Sequence, residues 1–285
     1  MSSISGIDVS NSQGTIDWEQ VKKSGIKFAI IRLGWGGDAP HQDDPKFKEN
    51  VAACEKLGIR WGAYIYSYAL NLDAVTGEVK HALRMLDGKK PPLGVWFDME
   101  DMDGYKAKHG LDVRSNRRLI TDMCIQFCEM MKRTGYEAGI YANQDFFEHV
   151  MYKNELTKYP FWLAYWASAP YMNCKVWQYS SKGKVPGING NVDMDILYAD
   201  GVVPKPVEPT CKVTVEKIIC KSGSQNDDVK LLQWLLNNLG FKCGAVDGIF
   251  GAQTKGAVTD YQKTHSACGT PDGVCGPKTW TSLLS

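Results

Sequence analysis

The sequence carries almost no net charge: 33 basic against 32 acidic residues leave a formal +1. That balance removes the global field with which a protein gathers nucleic acid or an anionic membrane surface, so neither partner is expected and recognition has to be local. No apolar stretch approaches the length of a bilayer span. The opening Met1-Ser2-Ser3-Ile4-Ser5-Gly6 lacks the charged start and apolar core of a secretory signal, which leads to the expectation of a chain made in the cytosol and kept there until something releases it. Histidine is scarce. His41, His81, His109, His149 and His265 sit in helix-like or loop contexts with no G-x-S-x-G nearby, so they read as surface or structural residues rather than members of a Ser-His-Asp or Cys-His device. Gly34-Trp35-Gly36-Gly37 lacks the Lys-Ser/Thr of a phosphate loop, and no C-x-x-C pair gives the nine cysteines a zinc spacing. Cys124 and Cys128, one helical turn apart, read as buried thiols, while the five cysteines from Cys211 onward leave a bridge open without fixing one. No cofactor is expected.

With those classes set aside, 285 residues at 44% hydrophobic content suffice for one large domain and a small one. Residues 3–200 alternate short apolar, β-branched or aromatic runs with amphipathic stretches, the pattern of β/α units around a parallel sheet. Strands are expected at 4–9, 28–33, 61–67, 93–98, 138–141, 161–165 and 176–179, with a closing one near Val192. The fold class is α/β, an irregular parallel β/α barrel of TIM type over residues 1–200. Its longest helix is expected to run from an N-cap at Ser115 to about Arg133, with Leu119, Met123, Phe127 and Met131 along one face and Gly135 as the stop.

Pro204, Pro206 and Pro209 then mark residues 201–210 as a stiff, extended linker. Residues 211–285 form a small three-helix domain with an internal echo: Asp247-Gly248-Ile249-Phe250-Gly251-Ala252-Gln253-Thr254 returns as Asp272-Gly273-Val274-Cys275-Gly276-Pro277-Lys278-Thr279. Each copy reads as a turn feeding a helix. The Asp-Gly step makes the tight turn, and the second glycine is expected to take a backbone conformation other residues avoid. Val229, Leu232, Leu236 and Leu239 place a further helix before them, starting at Asp227 or Asp228 and ending at Gly240.

Asp98 and Glu100 close the run Leu93-Gly94-Val95-Trp96-Phe97, so two carboxylates emerge from an apolar strand. Side chains two apart on a strand share a face, about 6.7 Å apart along it, and like charges that close push one pKa upward. A protonated acid beside an ionised partner is what glycosidic bond cleavage requires; a structural ion pair at a strand end accounts for the same two residues. In parallel barrels the chemistry collects at the C-terminal strand ends, where Asp8 and Asp193 stand as well. Trp35, Tyr64, Tyr66, Tyr141, Trp166, Trp177 and Tyr179 lie at strand ends too. Flat aromatic faces are platforms for sugar rings; each ring alone reads as barrel filling, and it is the coincidence with the acids that points to a site.

These motifs, in their order, resemble glycoside hydrolase family 25 lysozymes: Gly6-Ile7-Asp8-Val9-Ser10, Gly62-Ala63-Tyr64-Ile65-Tyr66, Phe97-Asp98-Met99-Glu100, Trp177-Gln178-Tyr179 and Gly190-Asn191-Val192-Asp193. The last seventy-five or so residues similarly resemble the type 1 peptidoglycan-binding domain through Val229-x-x-Leu232-Gln233, the two Asp-Gly copies, Ala257-Val258-x-x-Tyr261-Gln262 and Thr279-Trp280, with Cys243, Cys268 and Cys275 outside that pattern. The resemblance implies a barrel that hydrolyses the β-1,4 bond between N-acetylmuramic acid and N-acetylglucosamine. The partner is bacterial peptidoglycan, with its glycan strand at the barrel and a wall component at the C-terminal domain.

By that resemblance Glu100 is the general acid and later the base, and Asp98 its stabiliser or nucleophile. Carboxyls about 5 to 5.5 Å apart suit a covalent intermediate and about 6.5 to 9.5 Å suit inversion, and a two-residue strand step does not separate them. Attack by the substrate's own N-acetyl oxygen, with Asp98 stabilising an oxazolinium-like ion and retention of configuration, is the expected route. Asp8 and Asp193 keep the pocket negative, which raises the Glu100 pKa. Tyr64, Tyr66, Trp35, Tyr141, Trp166, Trp177 and Gln178 are the expected substrate-binding set. Two other classes stay open: a metal-dependent carbohydrate-active enzyme using the four acids as ligands for Mg²⁺ or Ca²⁺, and a non-catalytic wall-binding protein. A wall-binding tail on a cytosolic chain suggests a phage endolysin released when the host membrane is permeabilised, with a secreted autolysin as the alternative.

Overall fold

The computed structural model describes residues 3–202 and 219–284. The chain divides into two compact units, Met1–Val207 and Glu208–Ser285. Most of the linker expected over 201–210, and Cys211, lie outside the described residues.

In the larger unit eight strands close a barrel in chain order. They are β1 (Ser3–Val9), β2 (Phe28–Trp35), β3 (Arg60–Tyr66), β4 (Val95–Asp98), β5 (Ala138–Asn143), β6 (Phe161–Ala164), β7 (Cys174–Gly183) and β8 (Val192–Val202). Neighbours from β1 to β7 are parallel, as the alternating pattern predicts. The all-parallel expectation needs correction at β8, which runs antiparallel to both β7 and β1. The cause is length: only residues 184–191 separate β7 from β8, and a parallel return needs a crossover of about a dozen residues or more.

Helices α1 (Trp18–Lys23), α2 (Phe47–Leu57) and α3 (Leu72–Leu86) follow β1, β2 and β3, and α4 (Tyr105–Lys108) and α5 (Arg117–Arg133) both follow β4. Alternate strand residues such as Ile7, Ile31, Ile65, Phe97, Ile140 and Leu163 pack outward against Val51, Val79, Ile120 and Phe127 of the helices. Burying one such side chain stabilises by about 1.5–3 kcal/mol. The other residues fill the lumen, where Trp96, Tyr141 and Tyr64 all lie against Trp162 at ring separations of 5.9, 4.5 and 5.8 Å. Gly139 leaves space for this plug, since a Cβ there would meet Trp96 Cζ3 at 2.5 Å and Pro160 O at 2.6 Å.

One local expectation is corrected by hydrogen bonding. Ser115 does not cap α5. Its hydroxyl donates to Asp112 Oδ2, the same carboxylate group that takes Arg114 N, so Ser115 belongs to the preceding turn and Asn116 holds the N-cap position. A carboxylate is a stronger acceptor than a serine hydroxyl and gathers the turn around itself.

In the smaller unit α6 (Asp227–Asn238), α7 (Ala252–Thr264) and α8 (Pro277–Leu283) surround Leu232, Leu236, Phe250, Val258, Tyr261 and Trp280. Asn226 caps α6 by accepting from Val229 N at 3.0 Å, and Leu239, expected on the helix face, lies beyond its end and is exposed. The sequence echo is a repeated lock. Gln233 Nε2 donates to Asp247 Oδ1, Ile249 O and Thr254 Oγ1 at 2.9, 3.1 and 3.1 Å while its Oε1 accepts from Gly248 N at 2.9 Å. Gln262 does the same with Asp272 Oδ1, Val274 O and Thr279 Oγ1 at 3.0, 2.9 and 3.1 Å, and with Gly273 N at 2.9 Å. The left-handed backbone falls on the first glycine of each copy, Gly248 at φ +80° and Gly273 at +71°. Gly251 and Gly276, at −89° and −96°, are in an ordinary extended conformation as N-caps, which corrects the expectation for the second glycines.

Candidate active site

β4 ends on Asp98, whose neighbours across the sheet are Tyr66 of β3 and Tyr141 of β5. Phe97 faces the helices, so alternation sends Asp98 into the lumen. It is buried, and its Oδ1 has no hydrogen-bond partner among the described residues. Glu100, two residues on, lines a cavity of about 480 Å³ with Arg32, Trp35, Tyr66, Tyr68, Met102 and Asp103. Tyr68 donates its hydroxyl to Asp103 Oδ2 at 2.6 Å, and the Arg32 guanidinium lies 5.3 Å from the Trp35 ring centre.

A second acid group faces the first. Asp8 of β1 pairs across the sheet with Asp193 of β8, and Asp195 follows on the same face. Gln178 Nε2 donates to Asp8 Oδ2 at 2.8 Å, Tyr141 donates its hydroxyl to Gln178 Oε1 at 3.3 Å, and Trp162 Nε1 donates to Asp195 Oδ1 at 2.8 Å.

Burial raises every one of these carboxyls. Glu100 titrates at about 7, Asp193 at about 6 and Asp195 at about 8, while Asp98 and Asp8 are held well above the usual carboxylate range. Interacting carboxyls titrate as a unit, and the charges around Asp98 and Glu100 differ. Asp98 faces two cations, Lys106 and Arg32, besides Glu100. Glu100 faces Lys106 against three acids, Asp103, Asp193 and Asp101. The cations work against the rise that burial imposes on Asp98, while the three acids add to the rise of Glu100.

The barrel end thus brings together Asp8, Asp98, Glu100 and Asp193. Of the expected aromatics, Trp35 and Tyr66 line the cavity, while Tyr64 and Tyr141 sit against the lumen plug. Trp177 does not join them. It packs in the outer layer and donates from Nε1 to Tyr165 O at 2.7 Å, because Gln178 next to it takes the lumen face. Trp166, on the loop after β6, is 63% exposed and does not line the Glu100 cavity. Asp195, Arg32, Tyr68, Asp103 and Lys106 were missing from the expected set. Asp195 lies two residues past the closing motif Gly190-Asn191-Val192-Asp193, on the strand face of Asp193, and that spacing was the available signal.

Two carboxyls raised by burial at the end of a barrel strand, beside an aromatic-lined cavity, are the equipment of a glycoside hydrolase. The family model for glycosyl hydrolases family 25 matches residues 7–188, and a peptidoglycan binding domain model matches residues 225–283. The autolytic lysozyme of Clostridium acetobutylicum is 26% identical over 90% of this chain and 72% of its own length. Lysozyme M1 of Streptomyces globisporus is 30% identical over 67% of each chain. The solved bacterial lysozyme from Streptomyces coelicolor superposes with a TM-score of 0.57 at 28% identity, covering 68% of this chain and 92% of that one. The chain belongs to glycosyl hydrolase family 25. It is a muramidase that hydrolyses peptidoglycan, and it acts on the bacterial cell wall.

Proposed function

We propose that Glu100 protonates the oxygen of the β-1,4 bond between N-acetylmuramic acid and N-acetylglucosamine, with Asp98 as its anionic partner. As the bond to the leaving oxygen breaks, the acetamido oxygen of the same sugar closes on the anomeric carbon. Asp98 faces the positive charge that develops, and Asp8 and Asp193 add to the negative field. Glu100, now a carboxylate, takes a proton from water as that water opens the oxazolinium-like ion, so configuration is retained. The observation that carries this reading is a Glu100 titrating at about 7 on the cavity wall, two residues from a buried Asp98 that faces Lys106 and Arg32.

The glycan strand is assigned to the cavity lined by Trp35, Tyr66 and Tyr68, and a wall component to the C-terminal domain, in keeping with the match over residues 225–283. The domain division at residues 1–200, 201–210 and 211–285 is part of the same proposal. The eight described cysteines are all buried free thiols, in keeping with folding in a reducing compartment before an endolysin-like release to the wall.

Mass spectrometry of digested peptidoglycan tests the bond: new reducing ends belong on muramic acid, and ends on glucosamine sink the assignment. Glu100→Gln should lose about 10²-fold or more in kcat, and lysis at the wild-type rate removes Glu100 from the chemistry. Ending the chain after residue 207 should weaken retention on purified walls while leaving cleavage of soluble glycan fragments unchanged. Unchanged retention would place wall binding on the barrel. Export in cells without a membrane-permeabilising activity would favour secretion as an autolysin.

A further inference from the structure

Lys106 is the only lysine or arginine among the described residues that is fully buried, and it lies behind the acid pair. An ammonium group without water is costly to bury and needs partners. Its Nζ donates to Ser67 O at 2.5 Å and to Glu100 O at 2.8 Å. Ser67 in turn donates its backbone N–H to Asp98 O at 3.0 Å, extending the β3–β4 ladder by one bond. One ammonium therefore ties the end of β3 to the residue after β4, and fixes the peptide that carries the Glu100 carboxyl.

The helical turn α4 that delivers Lys106 is itself pinned, with Asp101 Oδ1 and Oδ2 accepting from Lys106 N and Ala107 N at 2.7 and 3.1 Å. Lys106 faces Glu78 of α3, Asp98, Asp101 and the Cys124 thiol of α5. Glu78 is occupied, its Oε2 and Oε1 accepting from Ser67 Oγ at 2.9 Å and Tyr68 N at 2.7 Å. Asp98 faces Glu100, Lys106, Arg32 of β2, the phenols of Tyr64 and Tyr66 on β3, and that of Tyr141 on β5. With no hydrogen-bond partner on its Oδ1, Asp98 meets these neighbouring charges through space.

We propose that Lys106 is a positioning residue of the muramidase site: its ammonium clamps the Glu100 carbonyl to that of Ser67 and supplies the fixed positive charge behind Asp98. The clamp sets where the acid stands, and the charge, which acts on both carboxyls, eases the ionisation of Asp98. The inference rests on the roles proposed for Glu100 and Asp98, and the Glu100→Gln assay separates a failure of those roles from a failure of this one.

Lys106→Met should lower kcat about 10- to 100-fold with KM within about twofold of wild type, and should move the acid limb of the pH–rate profile upward by about one pH unit, since Asp98 then ionises later. Lys106→Arg should return the limb towards its wild-type position. A folded Lys106→Met with wild-type kcat overturns the proposal, and a lowered kcat with an unmoved limb overturns the charge role. Should Lys106→Met fail to fold, isotope-edited infrared spectra of Glu100→Gln, with and without Asp98→Asn, decide the charge role. An ionised Asp98 at pH 6 supports it, and a protonated one overturns it.

Discussion

Gln178 donates from Nε2 to Asp8 Oδ2 at 2.8 Å, across the lumen from β7 to β1. The amide cannot turn over, because its Oε1 already accepts from the Tyr141 hydroxyl at 3.3 Å. Gln178 thus holds an acid of the site through a fixed donor. Gln178→Ala should destabilise the barrel by about 1–3 kcal/mol by leaving two buried polar groups short of a partner, read from urea unfolding. A loss below a few tenths would show that water replaces the amide.

Asp193 adds negative charge to the surroundings of Glu100 and keeps its proton bound to higher pH. Glu100 must be protonated to act as the acid, so its titration at about 7 sets the basic limb of the pH–rate profile. Asp193→Asn should move that limb to lower pH by some tenths of a unit to about one unit. A limb that stays in place would mean that Asp193 does not act on Glu100.

Stability should fall as pH rises. Glu78 and Glu100 titrate at about 7 and Asp195 at about 8 in the folded chain, against about 4 when unfolded. Between those values the folded state binds more protons than the unfolded one, so the stability these groups give is full below about pH 4 and is lost as pH climbs through 7 and 8. Urea midpoints should be higher at pH 5 than at pH 8.5. A flat or rising trend would mean that the pocket carboxyls ionise freely.

The barrel was legible because β-branched and aromatic runs recur at β/α spacing, and the acid pair because two carboxylates ended one of those runs. Other parts were hidden for physical reasons. In a barrel with cores on both sides of its sheet, both faces of a strand are apolar, so nothing in Trp177-Gln178-Tyr179 says which residue enters the lumen. Strand direction is equally silent, and β8 reverses only because its connection is short. Lys106 stands in Tyr105-Lys106-Ala107-Lys108-His109, which reads as an exposed charged turn. The grip of Asp101 on α4 and the Ser67 and Glu100 carbonyls that receive the ammonium hold it inside.

The repeated glutamine lock gives the small unit its own test. Gln262→Ala removes one side chain that serves four groups at once. It should cost that unit about 2–4 kcal/mol and speed amide exchange in α7 and α8 while leaving exchange in β1 to β8 unchanged. Unaltered exchange in α8 would show that the helix is held by its apolar face alone.

Because β8 enters the barrel at its mouth and runs away from it, Asp193 and Asp195 stand near the start of their strand, while Asp8, Asp98 and Glu100 stand at or just beyond the ends of theirs. Its place is set upstream. One residue inserted or deleted within 184–191 would turn Asp193 and Asp195 out of the lumen together, whereas a change of length after Val202, paired with Cys174 at the opposite rim, leaves the register untouched. Tolerance to insertion in this enzyme is therefore lopsided across one strand, with a hairpin that must keep its length and an exit that is free to vary.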